Sequence, residues 1–350
     1  MSSTINNSVF LIVANVAIGY AAPSGGQPTV PELISSFSDA DREAAALIAD
    51  KISQRGSSAT GHLVSALESR DPIIRRGVFL TLQQLGAKAK KAVPALTRLT
   101  TSTDSLNRRG AIYALGAMGN AAKPAIANLI EALAHEDFHT QYAACRALGN
   151  LGEIAEPAIP ILIQLTQTGL TSVRRHAAAA LGGVGPAIGD DGLQALVDAL
   201  ADRSQAVREQ AVIAMGRLPE IAKATVPKIE QLLRTGKLKA RPLAIRSIWQ
   251  LTGDTDRAVA MLVDELHDVQ TQLMACMILE EMGYDAKGAT EALLEMTESE
   301  DPDCRIKSMQ ALVRIAPNRA SVREALRRLR KDADEYVREV SAKITLPVSQ

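Results

Sequence analysis

Bulky aromatic side chains are scarce in this sequence: Phe, Trp and Tyr make up 3% of its 350 residues, with a single Trp. Abundant Ala and Leu suit closely packed helices better than sheets, which favour aromatic and β-branched residues. Cysteine is also sparse. Cys145, Cys276 and Cys304 are odd in number and widely separated, which excludes both a disulfide framework and a CxxC metal site. Ordinary buried thiols remain. Net charge is missing as well: 39 Lys and Arg balance 39 Asp and Glu, so the chain lacks the global basic field of a dedicated nucleic-acid binder. No GxSxG turn or phosphate-binding loop occurs, and beyond the N-terminus no run is long and apolar enough to span a bilayer.

Hydrophobic residues make up 47% of the sequence, and its length alone would suggest two or three globular domains. Internal repetition overrules that. Gly86, Gly119, Gly152, Gly185, Pro219, Thr252, Gly283 and Ala316 are equivalent markers, with successive spacings of 33, 33, 33, 34, 33, 31 and 33 residues. Ten residues after nearly every marker lies an apolar residue: Leu96, Leu129, Leu162, Ile229, Leu262, Leu293 and Leu326, slipping by one to Leu196 in the fourth repeat. Pro94, Pro160 and Pro227 share a first-turn position where a missing N–H costs little. Pro124 and Pro157 share an earlier one and mark helix starts.

Each unit then reads as a first helix such as 157–168, a short turn, and a second helix such as 173–184 ending at or near Gly. Apolar residues three and four apart give each helix one buried stripe, and a lone pair could not cover that stripe on both sides. Stacked neighbours can. The expected architecture is all-α: a right-handed α-solenoid (α-α superhelix) of about nine helix pairs over residues 41–346, with an extra helix near 41–52 and a last pair over 320–346. At interhelical spacings of ~8–10 Å, nine pairs would form an arc on the order of 80–90 Å long.

Residues 1–40 read as a separate N-terminal apolar segment and linker. The run 9–18 is apolar and is followed by small residues, as in a secretory signal, but no Lys or Arg precedes it and Asn15 interrupts it. An exported protein and a cytoplasmic one with an amphipathic end-covering helix, linked by residues 23–31, both fit.

These features resemble HEAT repeats, particularly the short type of phycobilin-lyase-like proteins and deoxyhypusine hydroxylase. The resemblance covers nearly everything after residue 40 and is carried by a turn Asp with an Arg just inside the second helix: Asp71 and Arg75, Asp104 and Arg108, Asp301 and Arg305, Asp334 and Arg338. It implies a ladder of hydrogen bonds between adjacent turns. Arg174, Arg208 and Arg241 hold the same place without the aligned Asp, and Gln141 and Gln272 replace the Arg, where the ladder should break.

In HEAT-like arrays the second helices line the concave surface, so inward positions that vary between repeats are the binding candidates. One row is Arg76, Arg109, Tyr142, Arg175, Glu209, Pro242, Leu273 and Ile306. Four residues on, sharing the helix face, is Leu80, Tyr113, Arg146, Ala179, Ile213, Arg246, Met277 and Gln310. The first half is basic and aromatic, grouping Arg76, Arg109, Tyr113, Tyr142, Arg146, Arg175 and His176. Arg and Tyr are favoured interface anchors, and Arg takes carboxylates bidentately, so the expected partner is a protein or an acidic peptide. The alternative is a solvated surface whose arginines find intramolecular partners. Zero net charge and few stacking aromatics argue against nucleic acid.

The His135-Glu136-Asp137-Phe138-His139 stretch matches HExxH, whose zinc chemistry needs both histidines one turn apart on a continuous helix. The repeat places Asp137 in a turn, so the histidines straddle a break. Deoxyhypusine hydroxylases bind two irons through His-Glu pairs early in the second helices. The matching positions, Arg76-Gly77 through Pro242-Leu243, contain no such pair. The expectation is a monomeric, non-catalytic binding scaffold without a cofactor; the alternative is a component of a phycobilin-lyase-like or other protein-modifying enzyme.

Overall fold

A computed structural model describes residues 27–346; the apolar run 9–18 and the question of its removal lie outside them. Among the described residues the regular elements are all helical. Helices α1 (Val30–Ser35) and α2 (Arg42–Ser53) come first. Nine full pairs follow: α3 (Thr60–Ala66) with α4 (Pro72–Leu85), α5 (Val93–Leu99) with α6 (Ser105–Gly116), and α7 (Ile126–Leu133) with α8 (Phe138–Leu151). Next are α9 (Ile159–Thr168) with α10 (Thr171–Val184) and α11 (Gly189–Ala199) with α12 (Gln205–Gly216). After the short α13 (Pro219–Ala222) come α14 (Val226–Arg234) with α15 (Arg241–Thr252) and α16 (Thr255–Glu265) with α17 (Gln272–Met282). The last two pairs are α18 (Thr290–Met296) with α19 (Pro302–Ile315), and α20 (Ala320–Leu329) with α21 (Glu335–Lys343).

The turn between paired helices is set by the residue that starts the second one. Asp71, Asp104, Asp137 and Asp301 cap α4, α6, α8 and α19, each accepting a hydrogen bond from the backbone N–H two residues on. Such a cap satisfies a donor that the helix itself leaves unpaired. Between pairs, the marker glycines 86, 119, 152, 185 and 283 all take positive φ, a conformation costly for any residue with a Cβ. At Thr252 the left-handed residue is instead Gly253, one position later. Pro124 and Pro157 do not begin α-helices: they lie inside 3₁₀ segments, Gly119–Ala125 and Gly152–Ala158, that lead into α7 and α9. A 3₁₀ turn lets the chain step from one layer to the other before the α-helix opens.

The second helices pack directly on one another through small residues. A Cβ on Gly116 would lie 2.6 Å from Ala147 Cα, on Gly149 2.9 Å from Ala180 Cα, and on Gly182 2.7 Å from Ala214 Cα. Such close backbone approach marks the layer with the shorter repeat spacing, and in a bent stack that layer lies on the inside. Helical structure also begins earlier than residue 41. Residues 30–39 form α1 and a 3₁₀ turn, and the fully buried Phe37 ring sits on Gly77 of α4. Phe79 sits on Gly110 of α6 in the same manner, so Phe37 repeats at the first pair the contact used within the stack.

Arginines stitch the turns together. Arg75 donates to Asp104 at 2.8 Å, Arg108 to Asp137 at 3.4 Å, and Arg174 to both carboxylate oxygens of Asp202 at 2.7 and 2.9 Å. Arg208 donates to the Lys237 carbonyl at 3.1 Å, Arg241 to Glu265 at 2.7 Å, and Arg305 to Asp332 at 2.8 and 3.0 Å. The partner of Arg305 is therefore Asp332, two residues before the aligned Asp334, and Asp202 holds the same offset ahead of Ser204. Each side chain also donates back to its own turn, as from Arg75 to the Ser69 carbonyl and Arg338 to the Asp332 carbonyl. Gln141 and Gln272 make no such bond among the described residues.

The Arg174 hydrogen bond holds the Asp202 carboxyl below its ordinary range. For Asp137, burial pushes upward, but hydrogen bonds from Thr140, the His139 amide and Arg108 outweigh it, and the net shift is down. A carboxyl whose folded pKa lies below its unfolded value, about 3.9, contributes stability that is complete above that value and is lost as pH falls through the folded pKa. Replacing Asp202 by Asn should therefore lower the melting temperature at pH 6 and flatten its fall between about pH 5 and pH 2. A thermal melt series by circular dichroism measures both. Packing makes a second prediction: Gly182→Val should cost about 1–3 kcal/mol of overpacking, whereas Gly61→Ala, where a Cβ meets nothing within 4 Å, should be neutral or stabilising in urea unfolding.

Candidate binding surface on the inner helix layer

Second-helix side chains not used in stacking emerge on the inner face. Positions 109, 113, 142, 146, 175 and 176 come from α6, α8 and α10; the side chains of Tyr113, Tyr142, Arg146 and His176 form one cluster, with the charges of Arg109 and Arg175 acting on Tyr113 and His176. The Tyr113 and Tyr142 rings meet edge to face at 6.3 Å between centroids, and the His176 ring meets Tyr142 edge to face at 4.2 Å. The Arg146 guanidinium lies over both tyrosines, 5.2 Å from the Tyr113 centroid and 5.9 Å from that of Tyr142, and donates to the Tyr142 hydroxyl at 3.2 Å. Cation–π contact and a hydrogen bond thus orient this exposed guanidinium without neutralising it.

Local electrostatics follow from the packing. Burial and the neighbouring Tyr142 push the Tyr113 hydroxyl up to about 12, with the Arg146 and Arg109 charges pulling the other way. Burial lowers the His176 pKa, and the Arg175 and Arg146 charges add to the effect, against the raising influence of its hydrogen bond with the Ser172 carbonyl at 2.6 Å. Because a carbonyl oxygen only accepts, His176 Nδ1 carries the proton of that hydrogen bond. Among the described residues, Arg109, Arg146 and Arg175 have no carboxylate within ion-pair distance.

Arg76, on α4, is exposed and makes none of these contacts. The rest of its row is not a continuous surface. Pro242 and Ile306 are buried in the stack. Glu209, the one acid in the row, accepts from the Lys239 and Ala240 amides at 3.1 and 2.9 Å and from Gln205 at 2.7 Å. Its charge compensates the N-terminus of α15, a favourable place for an anion. A further row, one turn along the same face, carries Arg217 and Gln250. Continuing the four-residue step from Ile213 and Arg246 reaches both.

The HExxH stretch has no continuous helix. Asp137 is the cap of α8, and its backbone N–H donates to His135 Nδ1 at 2.9 Å, so His135 sits in the turn and His139 in the helix. The two imidazoles do not share the helical face that a zinc protease requires. Among the described residues no three His, Cys, Asp or Glu side chains are grouped so as to hold a metal ion, and no helix is long and apolar enough to cross a membrane.

No curated protein matches the sequence. Among solved structures, one engineered protein shares 22% identity, with 89% of this chain and 97% of that one covered at a TM-score of 0.43. A second engineered protein shares 21%, covering 76% and 97%, at 0.38. The karyopherin Kap121p, bound to the extreme C-terminus of the protein phosphatase Cdc14p, shares 15%, covering 89% of this chain and 40% of the karyopherin, at 0.43. A family model for HEAT repeats matches residues 30–116, 98–182, 159–249 and 259–343. With the matched stretches covering well over half of the sequence, and stacked helix pairs joined by turn arginines along the same stretches, the chain belongs to the HEAT-repeat family.

Proposed function

We propose that this HEAT-repeat solenoid is a non-catalytic protein-binding scaffold whose concave face captures an acidic segment of a partner protein. One observation carries the reading: the arginines sort into two kinds. Those at the start of the second helices spend their donors on neighbouring turns. Those one residue later, Arg109 and Arg175, have no internal acceptor among the described residues, and Arg146 is aligned on two tyrosine rings with the rest of its fork open. A preoriented guanidinium loses less side-chain freedom on binding, and a carboxylate can accept two parallel hydrogen bonds from it.

A fluorescently labelled glutamate-rich peptide should bind the purified protein, and the affinity should fall as salt rises, because exposed charges are screened over roughly 8–10 Å at 0.10–0.15 M ionic strength. Charge reversal at Arg109 and Arg146 together should abolish that binding while leaving the circular dichroism spectrum unchanged. Each lost charged hydrogen bond is worth about 1.5–3 kcal/mol, a factor of ten or more in affinity. Anisotropy titration is the measurement; undiminished affinity in the double variant contradicts the proposal.

A further inference from the structure

The marker spacing lengthens to 34 residues in one interval, Gly185 to Pro219, and the extra residue falls where the chain enters α11. In the three preceding pairs a seven-residue 3₁₀ segment leads into the first helix. Here that segment is only Pro186–Ile188, held between Gly185 and Gly189, both of positive φ. Ile188 folds over Gly192, where a Cβ would lie 2.5 Å from Ile188 Cβ. Beside this irregular entry a groove of about 430 Å³ runs between α9 and α11 on the outer layer. Its floor is apolar: Ile188 and Ala195 are buried, Ile159 and Ile163 half-buried. Its rim carries Asp191 and Asp198.

Residues 147–202 contain Lys or Arg only at 174 and 175. Arg174 is bound to Asp202 in the turn, and Arg175 leaves α10 on the inner face. The outer layer of these two pairs therefore carries Glu153, Glu156, Asp190, Asp191 and Asp198, all exposed, and no Lys or Arg. Among the described residues none of these five is ion-paired. Asp190 and Asp191 lie in the first turn of α11, where the helix dipole favours a carboxylate; Asp198 lies in the last, where the dipole disfavours it. Helix formation does not account for Asp198. The Gln194 amide donates to Asp198 Oδ1 at 2.8 Å, which holds the carboxylate along the rim and leaves Oδ2 without a partner.

We infer that the outer groove between α9 and α11 docks a basic amphipathic helix of a partner protein, with apolar residues in the groove and Lys or Arg, seven residues apart, on Asp191 and Asp198. From Asp191 to Asp198 are two turns of α11, ~10.5 Å along its axis. A helix laid along the groove presents its residues i and i+7 at the same ~10.5 Å, with i+3 and i+4 between them on the same face. On α9, Ile159, Ile163 and Gln167 recur every four residues and form the ridge against which such a helix packs. An extended segment crosses that distance in about three residues, of which only alternate ones face the floor. The groove lies on the opposite layer from the Arg146 cluster, and its charge preference is the reverse.

The test uses the full chain and two labelled Ala-based peptides of about 18 residues, long enough to form a helix. Both carry Lys at i and i+7. One has Leu at i+3 and i+4; the other has the two Leu moved to i+2 and i+5, on the opposite face. Anisotropy titration should show the first peptide binding about tenfold more tightly than the second. Asp191→Asn combined with Asp198→Asn should weaken the first peptide about tenfold. Glu131→Gln with Glu295→Gln, which neutralises exposed acids elsewhere on the outer layer, should leave its affinity unchanged. Equal affinity for the two peptides, no detectable binding, or an affinity untouched by the aspartate variants overturns the inference. Self-association in sedimentation velocity that the aspartate variants abolish, without peptide binding, also overturns it and makes a second copy the occupant.

Discussion

A helix pair of this kind has one apolar stripe on each helix, and two short helices cannot shield both sides of that stripe from water. Every other feature of the structure answers that constraint. Pairs stack so that each one covers its neighbour, and the stacking is closest in the second-helix layer, where Gly116, Gly149 and Gly182 let backbones approach Ala147, Ala180 and Ala214. The close layer becomes the inner one, and its unburied side chains converge on a concave face. Stacking therefore produces both the stability and the inner face, with no further element added. Phe37 covers Gly77 as Phe79 covers Gly110, which extends the stacking contact to the residues before the first pair.

Arginine stands in two settings at neighbouring positions. Just inside the second helix, the guanidinium is bent back to its own turn and across to the next, where its planar fork satisfies a carbonyl and a carboxylate at once. That geometry suits Arg more than Lys. One residue further, the side chain leaves the turn and faces the groove. The difference between Arg108, buried and paired, and Arg109, half-buried without a carboxylate, is a helical rotation of about 100°. Turn-bound and carboxylate-free arginines are thus separated by a single residue in sequence.

Much of this was legible in the sequence, for reasons that can be named. The 33-residue marker spacing survives because a positive-φ glycine and an aspartate cap recur in the turns, and both are local requirements that restrict residue type. The inner rows followed from helical periodicity once the register was set, which is how Tyr113, Tyr142, Arg146, Arg175 and His176 came together. What could not be read depended on longer-range packing. Pro124 and Pro157 fit a helix start or a 3₁₀ turn equally well until the step between layers is known. Residues 30–39 carry no marker of the repeat, so their place in the stack emerges only through the burial of Phe37. Glu209 looks like a groove residue until the α15 amides claim it, and Asp202 and Asp332 replace aligned turn positions by reaching in from two residues upstream.

The central claim is that the arginines of the inner face are divided between structure and ligand. Proton–nitrogen NMR of the guanidinium Nε–H groups observes that division directly during titration with a glutamate-rich peptide. The account predicts that the Arg109, Arg146 and Arg175 resonances shift on binding while those of Arg75, Arg108, Arg174 and Arg305 stay in place. Shifts confined to the turn arginines, or spread evenly over both groups, would contradict it.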